Sequence, residues 1–243
     1  FNPIHLAHLV VAEQVRERLG LERVLFVPAN LPPHKGESLP GGAERLALVR
    51  LAIRGNPGFG AIDLELRRGG RSYTIDTLRA LAGRRTGQRG SSHVRPERVE
   101  GSERVEGRLE LFFLIGMDAF AEIRTWHEAD RLAEAANFAV FPRAGYPLED
   151  PRRHAPAAWD LLGERRLAGG LRVWRTGAGT GVWLVPTEEL SISATAIRAR
   201  AARGASIRYL VPPAVERAII RGGLYRRGTA RGRTAAPQHA KGA

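Results

Sequence analysis

This sequence has no cysteine, a single methionine and 25 acidic residues set against 38 Lys and Arg. Without cysteine, neither a disulfide framework nor a thiolate metal site is available. Aromatic residues make up only 7% of the chain, and four of them are tryptophan. No apolar run approaches the roughly 20 residues of a membrane span. No secretory signal pattern is visible either. Those absences point to a cytoplasmic protein. With 243 residues and 43% hydrophobic content, there is material for a full core, and one α/β domain with additions is the simplest organisation. The formal net charge of +13 suits polyanionic ligands and weak nucleic-acid contact. Five of the cations, Arg226, Arg227, Arg231, Arg233 and Lys241, lie in a tail that carries no Asp or Glu.

Strand and helix patterns alternate along the chain. Val24 to Val27 reads as a buried strand that ends at Pro28 and opens into the loop Ala29 to Lys35. A helix is expected over residues 43–53, a half-wet strand over 61–66, a helix from Thr74 and an apolar strand over 111–115. A further helix is centred on 129–135, and a strand covers 138–141. This order implies βαβ units and a mostly parallel sheet. Ligands of such sheets bind beyond the carboxyl ends of the strands. The loops at 28–35, 116–118 and 142–146 all leave strands at that edge. Residues 86–108 are polar and near-repetitive, reading as a solvated excursion, and the tail 226–243 reads as disordered.

Two end segments carry the chemistry. At the start, His5 and His8 stand three apart where an apolar helix begins, with Gly20 as its stop. Free backbone N–H groups and the helix dipole favour an anion there, phosphate above all. Histidine can donate to phosphate oxygens without a permanent charge. Near the other end, Ser193 or Thr195 would cap the helical run 197–202. Arg198 would stand on its first turn as a charge-assisted donor to a second phosphate. Each segment alone also reads as ordinary capping.

Together with what lies between them, these segments resemble a known family. Phe1-Asn2-Pro3-Ile4-His5-x-x-His8 resembles the ATP-binding signature of nucleotidyltransferases with a His-x-Gly-His motif. Ile192-Ser193-Ala194-Thr195-Ala196-Ile197-Arg198 resembles their second signature. Between them come Pro32-Pro33-His34-Lys35, Ser72-Tyr73-Thr74-Ile75-Asp76-Thr77-Leu78, Ile115-Gly116-Met117-Asp118 and Trp126-His127. They stand in the order seen in bacterial nicotinate-nucleotide adenylyltransferases. The resemblance covers about residues 1–225 and implies a Rossmann-like, doubly wound parallel sheet.

The resemblance implies transfer of the adenylyl group of ATP to nicotinate mononucleotide, giving deamido-NAD and pyrophosphate in NAD biosynthesis. It assigns His5, His8 and Arg198 to catalysis. ATP would be held by His5, His8, Gly116, Asp118, Ser193, Thr195 and Arg198. The mononucleotide would be held by Lys35, Thr74, Asp76, Trp126 and His127, with Trp126 stacked on the pyridine ring. No carboxylate cluster reads as a metal cage, so Mg²⁺ is expected mainly on ATP phosphates and water. No membrane partner and no specific nucleic acid are expected.

The sequence departs from the family pattern in places. Ala7 stands where the family has Gly, Ala194 replaces the second Ser of the late signature, and His127 stands where some relatives have Tyr. The resemblance also implies a first strand and a Gly-Gly-Thr turn ahead of Phe1, and the expectation is that this chain lacks them. Adenylyl transfer to nicotinamide mononucleotide or phosphopantetheine stays open as an alternative. So does a non-catalytic nucleotide- or RNA-binding protein.

Overall fold

A computed structural model of the chain describes residues 1–30, 40–83 and 110–226. Lys35 with its Pro-Pro-His neighbours, the 86–108 excursion and the tail beyond Arg226 lie outside the described residues. Among the described residues the helices are α1 (Leu6–Arg18), α2 (Gly42–Ala52), α3 (Leu64–Arg68), α4 (Thr74–Gly83), α5 (Met117–Ala121), α6 (Leu132–Ala135), α7 (Ala194–Ala202) and α8 (Pro213–Gly222). The strands are β1 (Val24–Phe26), β2 (Phe59–Ala61), β3 (Phe112–Gly116), β4 (Asn137–Phe141), β5 (Leu162–Arg166), β6 (Arg172–Arg175) and β7 (Gly181–Leu184).

β4 is the spine of the larger sheet, whose order is β3-β4-β7-β6-β5. Its residues Phe138, Ala139 and Val140 are all fully buried, because both sheet faces are covered. Side chains alternate across a strand, and the two resulting faces meet different partners. Phe138 and Val140 pack with Ile75, Phe120, Leu132, Trp159 and Trp174. Ala139 faces Val11 and Val15 of α1 instead. α1 therefore covers one face and α4 to α6 the other, the doubly wound arrangement expected.

β4 runs parallel to β3 and β7, as β1 does to β2. β6 runs antiparallel to β5 and to β7, so four of the five strands of the larger sheet point the same way, the mostly parallel arrangement expected. β5 is exposed along its whole length and carries Glu164, Arg165 and Arg166, charges of the kind that guard a sheet edge.

Two expectations are corrected. The half-wet strand over 61–66 is instead the end of β2 followed by α3. Asp63 pairs with Arg67 at 2.8 Å across one helical turn, and Glu65 turns inward to accept from the Thr77 hydroxyl at 2.7 Å. Residues 116–118 are not a loop, since α5 begins directly at Met117 and sets Asp118 on its first turn.

The second sheet, β1-β2, packs with α2, α7 and α8 through Phe26, Val49, Ile197, Val215 and Ile219. Among the described residues no strand lies between β1 and β3. Instead, residues 24–27 and 110–114 border a cavity of about 610 Å³, floored by Val11 and Ala12 and reached by Phe1, His8, Thr74 and Leu78.

Candidate active site

The site is built at the carboxyl ends of β3 and β4. The register pairs Gly116 with Phe141, so the segments leaving both strands start side by side. A cleft of about 300 Å³ lies beyond them, lined by Ala7, Asp118, Arg143, Tyr146, Glu188 and Ser193, among others. It is thus bounded by the first turn of α1, by α5, by the 142–146 turn and by the lead-in to α7. Gln14 of α1 fastens that lead-in by accepting from the Glu188 backbone N–H at 2.8 Å.

His5 is the N-cap of α1 and is buried, with 1% exposure. His8 follows one turn later and is half-buried. The two rings stack with centroids 3.7 Å apart. Burial, with Arg143 adding its positive field, pushes the His5 imidazole down to about 4. Burial and the His5 ring push His8 down to about 2. Both are therefore neutral at pH 7, and His5 Nδ1 is buried with no hydrogen-bond partner among the described residues. The backbone at this helix start is less free than expected. Leu6 N–H already donates to Leu210 C=O, and His8 N–H donates to His5 C=O, each at 3.0 Å. The imidazoles are thus the prominent donors left.

At the other helix start, Ser193 is the cap, accepting from Ala196 N–H at 3.1 Å. Arg198 donates to the Asn2 carbonyl at 2.8 Å and to Thr195 Oγ1 at 3.1 Å. Tyr225 donates to Asn2 Oδ1 at 2.9 Å. The late signature is thereby bonded directly to the turn that precedes the histidines.

Gly116 carries no side chain for a packing reason. A Cβ there would run into Asp118 Oδ1 and stand 2.8 Å from Arg143 Cγ. Arg143 Nε lies 3.8 Å from Asp118 Oδ2.

A second cluster forms beside α4. Tyr73 stacks on His127 with centroids 4.3 Å apart, and Trp126 meets Phe113 edge-on at 6.0 Å. Thr74 opens α4 and lines the larger cavity. Glu128, at φ 49°, receives two hydrogen bonds from Arg79 of α4, at 3.1 and 2.7 Å. That pair ties the Trp126–His127 turn to the helix bearing Thr74. Asp76 lies 3.8 Å from Arg68, so its carboxylate faces α3. Ser72 Oγ accepts from Asn30 N–H at 3.0 Å. Buried Arg45 holds the carbonyls of Ala29 and Asn30 at 2.6 and 2.9 Å. The root of the Lys35 loop therefore adjoins the Tyr73–Thr74 segment.

The structure thus gathers His5, His8, Gly116, Asp118 and Ser193 around one edge, and gathers Thr74, Trp126 and His127 nearby. Sequence reasoning singled out neither Arg143 nor the Arg79–Glu128 tie. The available signal was Arg143's place just past a strand end. Among the described residues no group of three or more His, Asp or Glu is placed to hold a metal ion, and no helix is long and apolar enough to cross a membrane.

Comparison with known proteins shows the family. A family model described as cytidylyltransferase-like matches residues 1–200. A protein of Trichlorobacter lovleyi named a probable nicotinate-nucleotide adenylyltransferase is 39% identical over 228 residues, covering 93% of this chain and 95% of that one. One of the same name from Syntrophotalea carbinolica is 40% identical over 229 residues, covering 93% and 94%. The fold matches that of Plasmodium falciparum nicotinic acid mononucleotide adenylyltransferase, solved with NaAD, at a TM-score of 0.65. The identity there is 17%, over 93% of each chain. The neutral histidine pair, the capped α7 and the Gly116–Asp118 edge thus occur in a chain that belongs to the nicotinate-nucleotide adenylyltransferase family.

Proposed function

We propose that this chain transfers the adenylyl group of ATP to nicotinate mononucleotide, releasing pyrophosphate and forming deamido-NAD. The observation that carries the reading is the stacked, neutral His5–His8 pair at the carboxyl edge of the sheet, bonded through Asn2 and Arg198 to the Ser193-capped helix. The relatives' names support the acceptor.

A phosphate monoester is already an anion at neutral pH, so the nucleophile needs no protein base. The mononucleotide's 5′-phosphate oxygen attacks the α-phosphorus, and the bond to the β-phosphate oxygen breaks. The task is to align two repelling polyanions and spread developing charge. In this reading His5 and His8 donate to the ATP phosphates, and Ser193, Thr195 and Arg198 hold the β and γ groups. Gly116 admits the adenosine, and Asp118 accepts from the ribose hydroxyls. Trp126 stacks on the pyridine ring, with Thr74 and His127 beside it, and Lys35 is a further contact to the mononucleotide. Asp76 acts through Arg68, by steadying the first turn of α4. A divalent cation, Mg²⁺ in this reading, would be carried on the triphosphate and would neutralise part of its charge. Asp118, Glu188 and Glu189 are the carboxylates that line the cleft.

The test is pyrophosphate release with ATP and, separately, the acid and amide mononucleotides. Release with the acid form at a higher kcat/KM supports the reading. Equal rates would point to a dual-specificity enzyme. ATP binding without release in either case would favour the non-catalytic alternative.

A further inference from the structure

Among the described residues, Arg143 is the one charged side chain that lines both cavities described above. Its backbone is fixed, because the N–H groups and carbonyls of Arg143 and Tyr146 exchange hydrogen bonds at 3.1 and 2.7 Å. Its side chain is not similarly fixed. The stem lies over Gly116, within reach of any Cβ placed there. The guanidinium makes only a 3.8 Å ion pair with Asp118 among the described residues, too long for a hydrogen bond. Both partners are about a third or more exposed, at 34% and 43%, and such pairs are weak and easily exchanged. A fixed root, a loosely held charged tip and two adjoining cavities describe a side chain placed to trade partners.

The surroundings say which partner it would take. Glu188 and Glu189 line the same cleft, so a polyphosphate there needs a cation to offset them. The neutral imidazoles of His5 and His8 offer donors but no charge. Arg143 brings a full positive charge whose field is felt at both rings. Arginine's planar fork also matches phosphate oxygens better than a lone carboxylate held at 3.8 Å.

We propose that Arg143 is a phosphate-binding residue of this site. On arrival of ATP its guanidinium leaves Asp118 and takes polyphosphate oxygens beside the histidine pair. Asp118 is thereby freed for the ribose hydroxyls. One event would thus satisfy both ends of the nucleotide, and in its absence the two charges neutralise each other. This rests on the adenylyl-transfer reading and adds to it a specific cation and an ion-pair exchange.

Calorimetric titration with adenosine, AMP, ADP and ATP tests it, using the unsubstituted chain, Arg143→Met, Arg143→Lys and Asp118→Asn. Methionine keeps a stem over Gly116 and removes the charge. We expect R143M to bind ATP about tenfold or more weakly, with adenosine within about twofold, and R143K to recover part of the loss. D118N should weaken adenosine and leave the ratio of ATP to adenosine affinity equal or higher. ATP affinity within about twofold in R143M overturns the proposal. An equal loss for adenosine and ATP also overturns it, since that marks Arg143 as packing alone. A fall of the ATP-to-adenosine ratio in D118N, as in R143M, overturns the exchange. The parent reading fails separately, if the unsubstituted chain gains no affinity from adenosine to ATP.

Discussion

The backbone N–H of His5 donates to Nδ1 of His8 across 3.2 Å. This bond fixes the tautomer of His8: with Nδ1 accepting, a neutral ring must carry its proton on Nε2. Nε2–H is therefore the atom offered outward as a donor. Its bond to a phosphate oxygen should strengthen as charge develops. His8→Ala is accordingly expected to lower turnover by on the order of 100-fold or more, with a smaller change in ATP affinity. Steady-state kinetics decide the matter: a raised KM for ATP with intact kcat would assign His8 to ground-state binding only.

The histidine pair was legible because its chemistry is local. Two residues three apart at a helix start must share a face, whatever the rest of the chain does. The same holds for Ser193 as the cap of α7 and for Gly116 and Asp118 at the end of an apolar strand. Arg143 was not legible, since its meeting with Asp118 depends on the Gly116–Phe141 register, a contact between strands some 25 positions apart. The Arg79–Glu128 tie is hidden for the same reason. The antiparallel β5–β7 extension was missed because β5 is fully exposed and charged, so hydrophobic alternation could not announce it. The α3 segment misled, because the Leu-Glu-Leu alternation of a half-wet strand recurs over one helical turn when the Glu is the buried residue.

Burial of the histidines has a pH consequence. Their folded-state values lie near 4 and 2, below the ordinary 6.5. Above pH 6.5 neither the folded nor the unfolded chain protonates them, and stability is complete. As pH falls below 6.5 the unfolded chain takes up protons first, so stability is lost progressively down through the folded values. Urea unfolding should show a loss on the order of 2 kcal/mol between pH 6.5 and pH 5, before most carboxylates titrate. Replacing both rings by Asn should flatten that limb. An unchanged slope in the double variant would show that other groups carry it.

Glu128 offers a test of how the acceptor pocket is held. Arg79 is bonded to both carboxylate oxygens, and Glu128 pairs also with Arg131 at 3.4 Å. The Arg79 side chain holds Glu128 well below the usual carboxylate range. Glu128→Gln keeps the shape and removes the charge, loosening the Trp126–His127 turn from α4. The expected result is a severalfold rise in KM for the mononucleotide with the KM for ATP unchanged, since the ATP cleft lies across β3. A parallel rise in both constants would mean that the tie supports the whole sheet edge.

The cavity between β1 and β3 yields the last prediction. β1 pairs only with β2, and β3 only with β4, among the described residues. Their other edges face a space of about 610 Å³ whose walls include Val24, Phe26, Phe112 and Leu114. Each edge strand runs parallel to its own neighbour, and Phe1 sits by the carboxyl end of β1, its ring 5.5 Å from that of Phe26. An extended apolar segment joined ahead of Phe1 and laid in this space would run parallel to β1 and leave the cavity at the histidines. It would gain ladder hydrogen bonds worth about 1 kcal/mol each on both sides, and it would cover apolar surface from water. Adding five alternating β-branched residues and a short glycine turn before Phe1 should therefore raise the melting temperature by about 5 °C or more and sharpen the transition. The same extension interrupted by proline should not, because proline removes the donors the ladder needs. Equal melting curves for the two extensions would show that the cavity does not accept a strand.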